Sequence, residues 1–195
     1  ENFTGQGNHV TYGQDEFGDG LWVAVGQSDG SLSANLGDSA LYNSSGATNT
    51  TIFYSYDGAN WAPATGTGVF STSGTDVTWG LDASGVATWV ATGVGLTDTL
   101  TGAFISGGQV AHSLNGRVWT PANTSTTPPF TTAGLTVGYG NAGTNGTGLA
   151  RWIVGGSGGN VFWYSSRPSK SGSGVWSSMT DTSANAPFPV CNSIQ

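Results

Sequence analysis

Short apolar runs bounded by turn residues recur along this chain. The segments WVAVG (22–26), WVATG (89–93) and WIVGG (152–156) carry β-branched and aromatic residues, as does TIFYS (51–55). Runs of this length and composition, flanked by Gly, Asp and Asn, predict strands. Within 22–26, Trp22 and Ala24 fall on one face and Val23 and Val25 on the other, which predicts burial of both faces. No window shows apolar positions at helical spacing between caps, and 33 glycines work against long helices. The chain reads as all-β.

The strands recur as sets. VTYG (10–13), VTWG (77–80) and VGYG (137–140) each precede one of the Trp-led runs. A third element follows: YSYDGANW (54–61), HSLNGRVW (112–119) and YSSRPSKSGSGVW (164–176). A short fourth strand comes after its Trp, in WAPA (61–64), WTPA (119–122) and WSSM (176–179). Phe3, Phe70 and Phe130 each stand nine residues before Tyr12, Trp79 and Tyr139. A fixed internal period means stacked units, none of which buries its own apolar face alone. The repeats run over about 3–69, 70–129 and 130–187 within one domain of 195 residues, and Phe188 opens a truncated fourth lead-in over 188–195.

Spacing separates rigid from variable parts. The step from Tyr12 to Trp22 is 10 residues, as from Trp79 to Trp89, and is 13 from Tyr139 to Trp152. The step from the second element to the third varies more: 33 residues from Trp22 to Ser55, 24 from Trp89 to Ser113, 13 from Trp152 to Ser165. Short constant steps predict hairpins, and the variable one predicts a loop open to insertion.

Charge then narrows the partners. Only 8% of residues are charged and the net charge is −7, with Arg117, Arg151, Arg167 and Lys170 the only basic side chains. That is no footprint for a nucleic-acid backbone, and no apolar run is long enough to insert into a bilayer. The chain opens at Glu1 without a signal-peptide core, as a processed secreted protein or a trimmed chain does. Asn2, Asn43, Asn49, Asn123 and Asn145 head five N-glycosylation sequons that fit the same extracellular reading. Cys191 is the single cysteine, so no internal disulfide framework exists.

The third element resembles the Asp-box (BNR-like) repeat of β-propellers, in the pattern Ser-x-Asp-x-Gly-x-x-Trp. Ser55, Asp57, Gly58 and Trp61 carry the likeness in the first copy, and Ser113, Asn115, Gly116 and Trp119 in the second. Ser165 and Trp176 carry it in the third, where Arg167 holds the Asp position and an insertion follows. The first copy is one residue short between Asp57 and Trp61. The resemblance implies a structural hairpin in which Asp or Asn caps the turn. It implies three four-stranded, propeller-blade-like repeats in a pseudo-threefold organisation, with a β-prism or trefoil-like arrangement as the alternative. Three such units leave sheet edges to cover or pair. The tail, with Phe188, Val190 and Cys191, is suited to a lead-in groove of its own first repeat or of a neighbour; the second choice yields a filament unless rotation closes it.

Sialidases carry Asp boxes too, so the resemblance raises a glycosidase. None of the arginines sits in that family's arginine motif, and the acids are scattered among turns rather than paired across a bond. Asp15, Glu16 and Asp19 form the densest acidic cluster, open to a Ca²⁺ ion or to a plain hairpin turn. His9, His112 and Cys191 match no metal spacing. The expectation is a secreted, non-enzymatic structural or adhesive subunit that self-associates, possessing no cofactor. A glycan-binding, lectin-like module using loops 27–50 and 94–108 is the alternative.

Overall fold

Strands form because each run pairs a β-branched or aromatic residue with a neighbour opposite it, and turns form where a short polar side chain captures the backbone. The computed structural model describes residues 6–27, 48–66, 69–70, 73–94, 96–97, 104–106, 109–122, 130, 132–142, 149–157, 162–169 and 175–178. Among the described residues there is no helix. Three four-stranded antiparallel sheets follow one another along the chain, each an up-and-down meander. The first contains β1 (Gly7–Gln14), β2 (Gly20–Gly26), β3 (Thr48–Ser55) and β4 (Ala62–Thr65). The second contains β5 (Ser73–Leu81), β6 (Ala87–Val94), β9 (Val110–Ser113) and β10 (Thr120–Pro121). The third contains β11 (Ala133–Ala142), β12 (Leu149–Ser157), β13 (Phe162–Ser165) and β14 (Ser177–Ser178).

Between β6 and β9 the chain makes a separate two-stranded sheet from β7 (Leu96–Thr97) and β8 (Phe104–Ser106). Part of the segment expected as a free loop over 94–108 is therefore hydrogen-bonded strand. Of the other expected binding loop, 28–47 lies outside the described residues.

The three sheets share a register. Tyr12 stands opposite Trp22, Trp79 opposite Trp89, and Tyr139 opposite Trp152. Each inner strand is irregular at one place, between Gly7 and His9, Gly74 and Asp76, and Gly134 and Thr136. The hairpins between the first two strands of each sheet turn on a buried Asp where described. Asp15 Oδ1 accepts the Phe17 and Asp19 N–H groups at 2.9 and 3.0 Å. Asp82 Oδ1 accepts those of Ser84 and Val86 at 2.7 and 2.9 Å.

Sheets stack face to face along the chain. One core cluster joins Leu21, Val23, Val25 and Ile52 of the first sheet to Val77, Trp89, Ala91 and Trp119 of the second. Another joins Val90 and Val110 of the second to Val137, Trp152, Val154 and Trp176. The middle sheet is covered on both faces, so β6 is buried almost throughout. The outer face of the first sheet is open at Val10, Tyr12 and Trp22, while Phe53 and Ser55 on that same face are buried. Burial of both faces of 22–26 does not hold: Leu21, Val23 and Val25 are buried while Trp22 is exposed. Periodicity sees each run in isolation and cannot tell an end sheet from a middle one.

Candidate functional site

The sheet-to-sheet seams have a common construction, built on the repeated inner-strand motif. Trp79 of β5 stands against Gly13 of β1, so that a Cβ on Gly13 would overlap the indole. Tyr139 of β11 stands against Gly80 of β5 in the same way. Each seam adds a hydrogen bond to the carbonyl that follows the glycine. Trp89 Nε1 donates to the Gln14 carbonyl at 2.9 Å, and the Tyr139 hydroxyl to the Leu81 carbonyl at 2.9 Å. An aromatic ring on a glycine hole is thus how one sheet receives the next. The glycines are required by this close approach, since only a residue without Cβ leaves room.

A polar column runs across the inner strands beside these rings. His9 Nδ1 lies 2.8 Å from Asp76 Oδ1 and 3.1 Å from the Val77 carbonyl. Asp76 Oδ2 accepts the Thr136 hydroxyl and the Val137 N–H, both at 2.9 Å. One carboxylate thereby ties the second sheet to both neighbours. A cavity of about 610 Å³ opens where the inner strands meet, lined among others by His9, Asp76, Thr78, Thr136 and Tyr139.

The seam motif occurs three times but closes twice. The residues that face the preceding sheet in the second and third sheets are Val77 and Trp89 at 0%, then Val137 at 4% and Trp152 at 0% exposure. Their counterparts in the first sheet are Val10 at 48%, Trp22 at 38% and, paired to it, Tyr12 at 56%. Tyr12 and Trp22 nonetheless hold the mutual geometry of half-buried Tyr139 and buried Trp152. Their centroids are 4.9 Å apart at 54°, against 4.8 Å and 49° for Tyr139 and Trp152. At the other end Gly140, third in the series after Gly13 and Gly80, has open space where its Cβ would be.

The third-element turns hold their residues as follows. Asp57 Oδ1 accepts the Ala59 and Asn60 N–H groups at 2.9 and 2.7 Å, Ser55 Oγ accepts Gly58 N–H at 2.9 Å, and Trp61 Nε1 donates to the Gly58 carbonyl at 3.1 Å. Backbone and side-chain donors of Asn60, with those of Ala59 and Ser55, hold the exposed Asp57 carboxyl well below the usual carboxylate range. Asn115 Oδ1 takes the N–H groups of Arg117 and Val118 at 3.0 and 2.9 Å, Ser113 Oγ that of Gly116 at 2.9 Å, and Trp119 Nε1 reaches the Gly116 carbonyl at 2.9 Å. Gly58 and Gly116 both take positive φ, 75° and 69°. In the third turn Pro168 occupies that glycine's place. Proline offers no N–H and cannot take positive φ. Ser165 Oγ there accepts Arg167 N–H at 3.2 Å, and Trp176 Nε1 is buried with no hydrogen-bond partner among the described residues.

The acidic cluster divides among three tasks. Asp15 caps its own hairpin and accepts the Tyr56 hydroxyl at 3.0 Å. Glu16 reaches across to Arg117 of the second sheet at 2.6 Å, and Asp19 closes the turn through its carbonyl, which accepts Asp15 N–H at 3.0 Å. Burial pushes the Asp15 carboxyl up, but donors from Phe17, Asp19 and Tyr56 outweigh it and hold it below its ordinary 3.8. No three His, Cys, Asp or Glu side chains gather into a metal-holding group among the described residues. His112, in β9 where the other sheets carry Tyr54 and Tyr164, is half-buried, and desolvation lowers its pKa from 6.5.

Of the sequon asparagines, Asn49 lies in β3, paired with Ala64; Asn2, Asn43, Asn123 and Asn145 lie outside the described residues. So do Phe188, Val190 and Cys191. Trp22, expected to be buried, is exposed, and Trp61 is half-buried. Sequence reasoning passed over the VTYG glycines as receivers of the next sheet. The signal was present in their recurrence directly after the aromatic. No helix among the described residues is long and apolar enough to cross a membrane. No protein-family model, no curated protein and no solved structure matches the chain.

Proposed function

We propose that this protein is an extracellular, non-enzymatic structural subunit that self-assembles through the ends of its sheet array and its terminal segments. In this reading the three meander sheets are propeller-blade-like units in a pseudo-threefold array. The carrying observation is the apolar end face of Val10, Tyr12 and Trp22, exposed in the first sheet although the counterparts of Val10 and Trp22 are buried in the next two and those of Tyr12 are half-buried. A contiguous apolar face of this kind is characteristic of an interaction surface. The carboxylates support the non-enzymatic side of the reading. Asp15, Asp57 and Asp82 are committed to turns and Asp76 to the seam, so each has a structural task.

A second reading rests on one specific observation. The exposed Tyr12–Trp22 pair offers ring faces with polar edges, which suits stacking on a sugar. Sedimentation velocity and electron microscopy of the whole chain, from micromolar to millimolar concentration, separate the two. Concentration-dependent growth supports the structural subunit. Monodisperse chains that bind a glycan array through Tyr12 and Trp22 end that reading in favour of the lectin-like one.

A further inference from the structure

The two unused ends of the array are halves of one seam. The first sheet ends in an exposed ring, Tyr12, whose hydroxyl end lies over Gly20 of its own sheet and which no described glycine of another sheet receives. The third sheet ends in a glycine, Gly140, that receives no ring among the described residues. Both belong to the series in which Trp79 stands on Gly13 and Tyr139 on Gly80. We propose that a second copy of this chain docks head to tail, with Tyr12 of one copy seated on Gly140 of the other. This rests on the self-assembly reading and specifies its partner and contact.

The rest of the face fits the same rule. In the seam between the first two sheets, the point where Gly116 would carry a Cβ lies beside Leu21, Val23 and Trp89. The register equivalents at the proposed junction are Gly58, Arg151, Ile153 and Trp22. Arg151 and Ile153 are half-buried on the far side of the third sheet, where Gly140 pairs with Arg151. Arg151 already lies over the Tyr164 ring, 4.8 Å from its centroid. The junction brings this guanidinium to the turn that carries the exposed, ionised Asp57 and to the face of Trp22. Arginine suits that place, since it pairs with a carboxylate and stacks on an indole at once. The hydroxyl of Tyr12 meets the Asn141 carbonyl of the second copy, as that of Tyr139 meets Leu81.

The contact is heterologous, because the surface used on one copy differs from that used on the other. Such a contact yields a closed ring when its rotation divides a full turn, and a filament when it does not.

Two variants and their mixture test this. Gly140→Leu fills the hole, and no described residue lies within 4 Å of the new Cβ. Tyr12→Ala removes the exposed ring. By sedimentation velocity on full-length protein, wild type forms rings or filaments. Each variant alone is weakened about 30-fold or more, as for loss of a central aromatic anchor. An equimolar mixture forms dimers and nothing larger, because Gly140→Leu retains its ring and Tyr12→Ala retains its hole. Monomeric wild type at every concentration overturns this contact and the self-assembly reading together. Wild type and both variants assembling alike overturns the contact while leaving self-assembly through another edge. Monomeric variants whose mixture also stays monomeric overturn the head-to-tail arrangement.

Discussion

The ring of Tyr139 occupies the place where Gly80 would carry a side chain, and its hydroxyl donates to the very next carbonyl, that of Leu81, at 2.9 Å. The glycine is therefore a packing position, and adding one methyl group tests it. Gly80→Ala and Gly13→Ala each drive a Cβ into the body of an aromatic ring rather than into a mobile tip. Each destabilises by about 1–3 kcal/mol, the usual cost of overpacking. Gly140→Ala changes stability by no more than about 0.5 kcal/mol, as for an open surface site. Urea midpoints measure all three. Equal effects at Gly80 and Gly140 would show that the ring does not need the hole.

Asp76 holds two neighbouring sheets at once, so its loss costs more than that of its partner His9. Asp76→Ala removes the acceptor of the Val137 N–H and of the Thr136 hydroxyl, and costs about 1–3 kcal/mol. His9 is half exposed, and solvent screens its share. His9→Ala costs at most about 1 kcal/mol. Matching losses in denaturation would place the energy in the His9 contact instead.

The two glycine turns are alike in φ but not in surroundings. Gly58 has only the edge of Trp22 near its open side, whereas Gly116 faces Leu21, Val23 and Trp89. Gly58→Ala costs about 1 kcal/mol for the left-handed conformation alone. Gly116→Ala costs about 1–3 kcal/mol more, from overpacking the seam. Thermal melts of the pair show the gap, and equal shifts would mean that Leu21 moves aside freely.

Acid weakens the fold in two steps of known sign. His112 has a lowered pKa because burial disfavours its charged form. Its contribution is present above the unfolded value near 6.5 and fades as pH falls below it. Asp15 is also lowered, so its contribution is present above about 4 and fades as pH falls through the folded value. Tyr56 is raised, first by burial and then by its bond to Asp15, so its contribution is lost as pH climbs above 10. Stability measured against pH is therefore flat between those limits. His112→Tyr, the residue type of the other two sheets, removes the step below 6.5 and leaves the step below 4. Persistence of both steps would assign the upper one to another group.

The strand positions were legible because each run of apolar residues carries its own turn signals. Trp22, Trp89 and Trp152 all open second-strand cores, and Asp57 and Asn115 both close turns through the chemistry that their short side chains allow. Burial was not legible to the same degree. Trp22 and Trp89 have identical local sequence, WVA, yet one is exposed and one is at the centre of a core. The difference is whether another sheet precedes them, which no local pattern encodes. The seam escaped notice for a related reason: glycine in VTYG reads as a break in a strand, and only the neighbouring sheet shows what fills the gap. The β7–β8 hairpin was missed because its strands are two and three residues long.

The lead-in phenylalanines repeat the ring-on-glycine arrangement at the other end of the second strand. Phe70 stands on Gly93, and Phe130 on Gly156, with the Phe130 N–H donating to buried Gln109 Oε1 at 3.0 Å. Phe130 is fully buried among Val90, Val137, Trp152 and Val154. Phe130→Ala alone leaves a cavity and costs about 3–5 kcal/mol. Gly156→Ala alone overlaps the ring and costs about 1–3 kcal/mol. Combined, the two do not add. With the ring gone, the methyl at 156 no longer meets Phe130 but still meets the Ala133 carbonyl, so Gly156→Ala costs less in the Phe130→Ala background than in the wild type without becoming neutral. The cycle measured by urea unfolding has a coupling of about 1 kcal/mol in the stabilising direction, the share of the Gly156→Ala cost that comes from the ring. Strict additivity would mean that ring and glycine do not share one volume, and that the recurring nine-residue lead-in has another purpose.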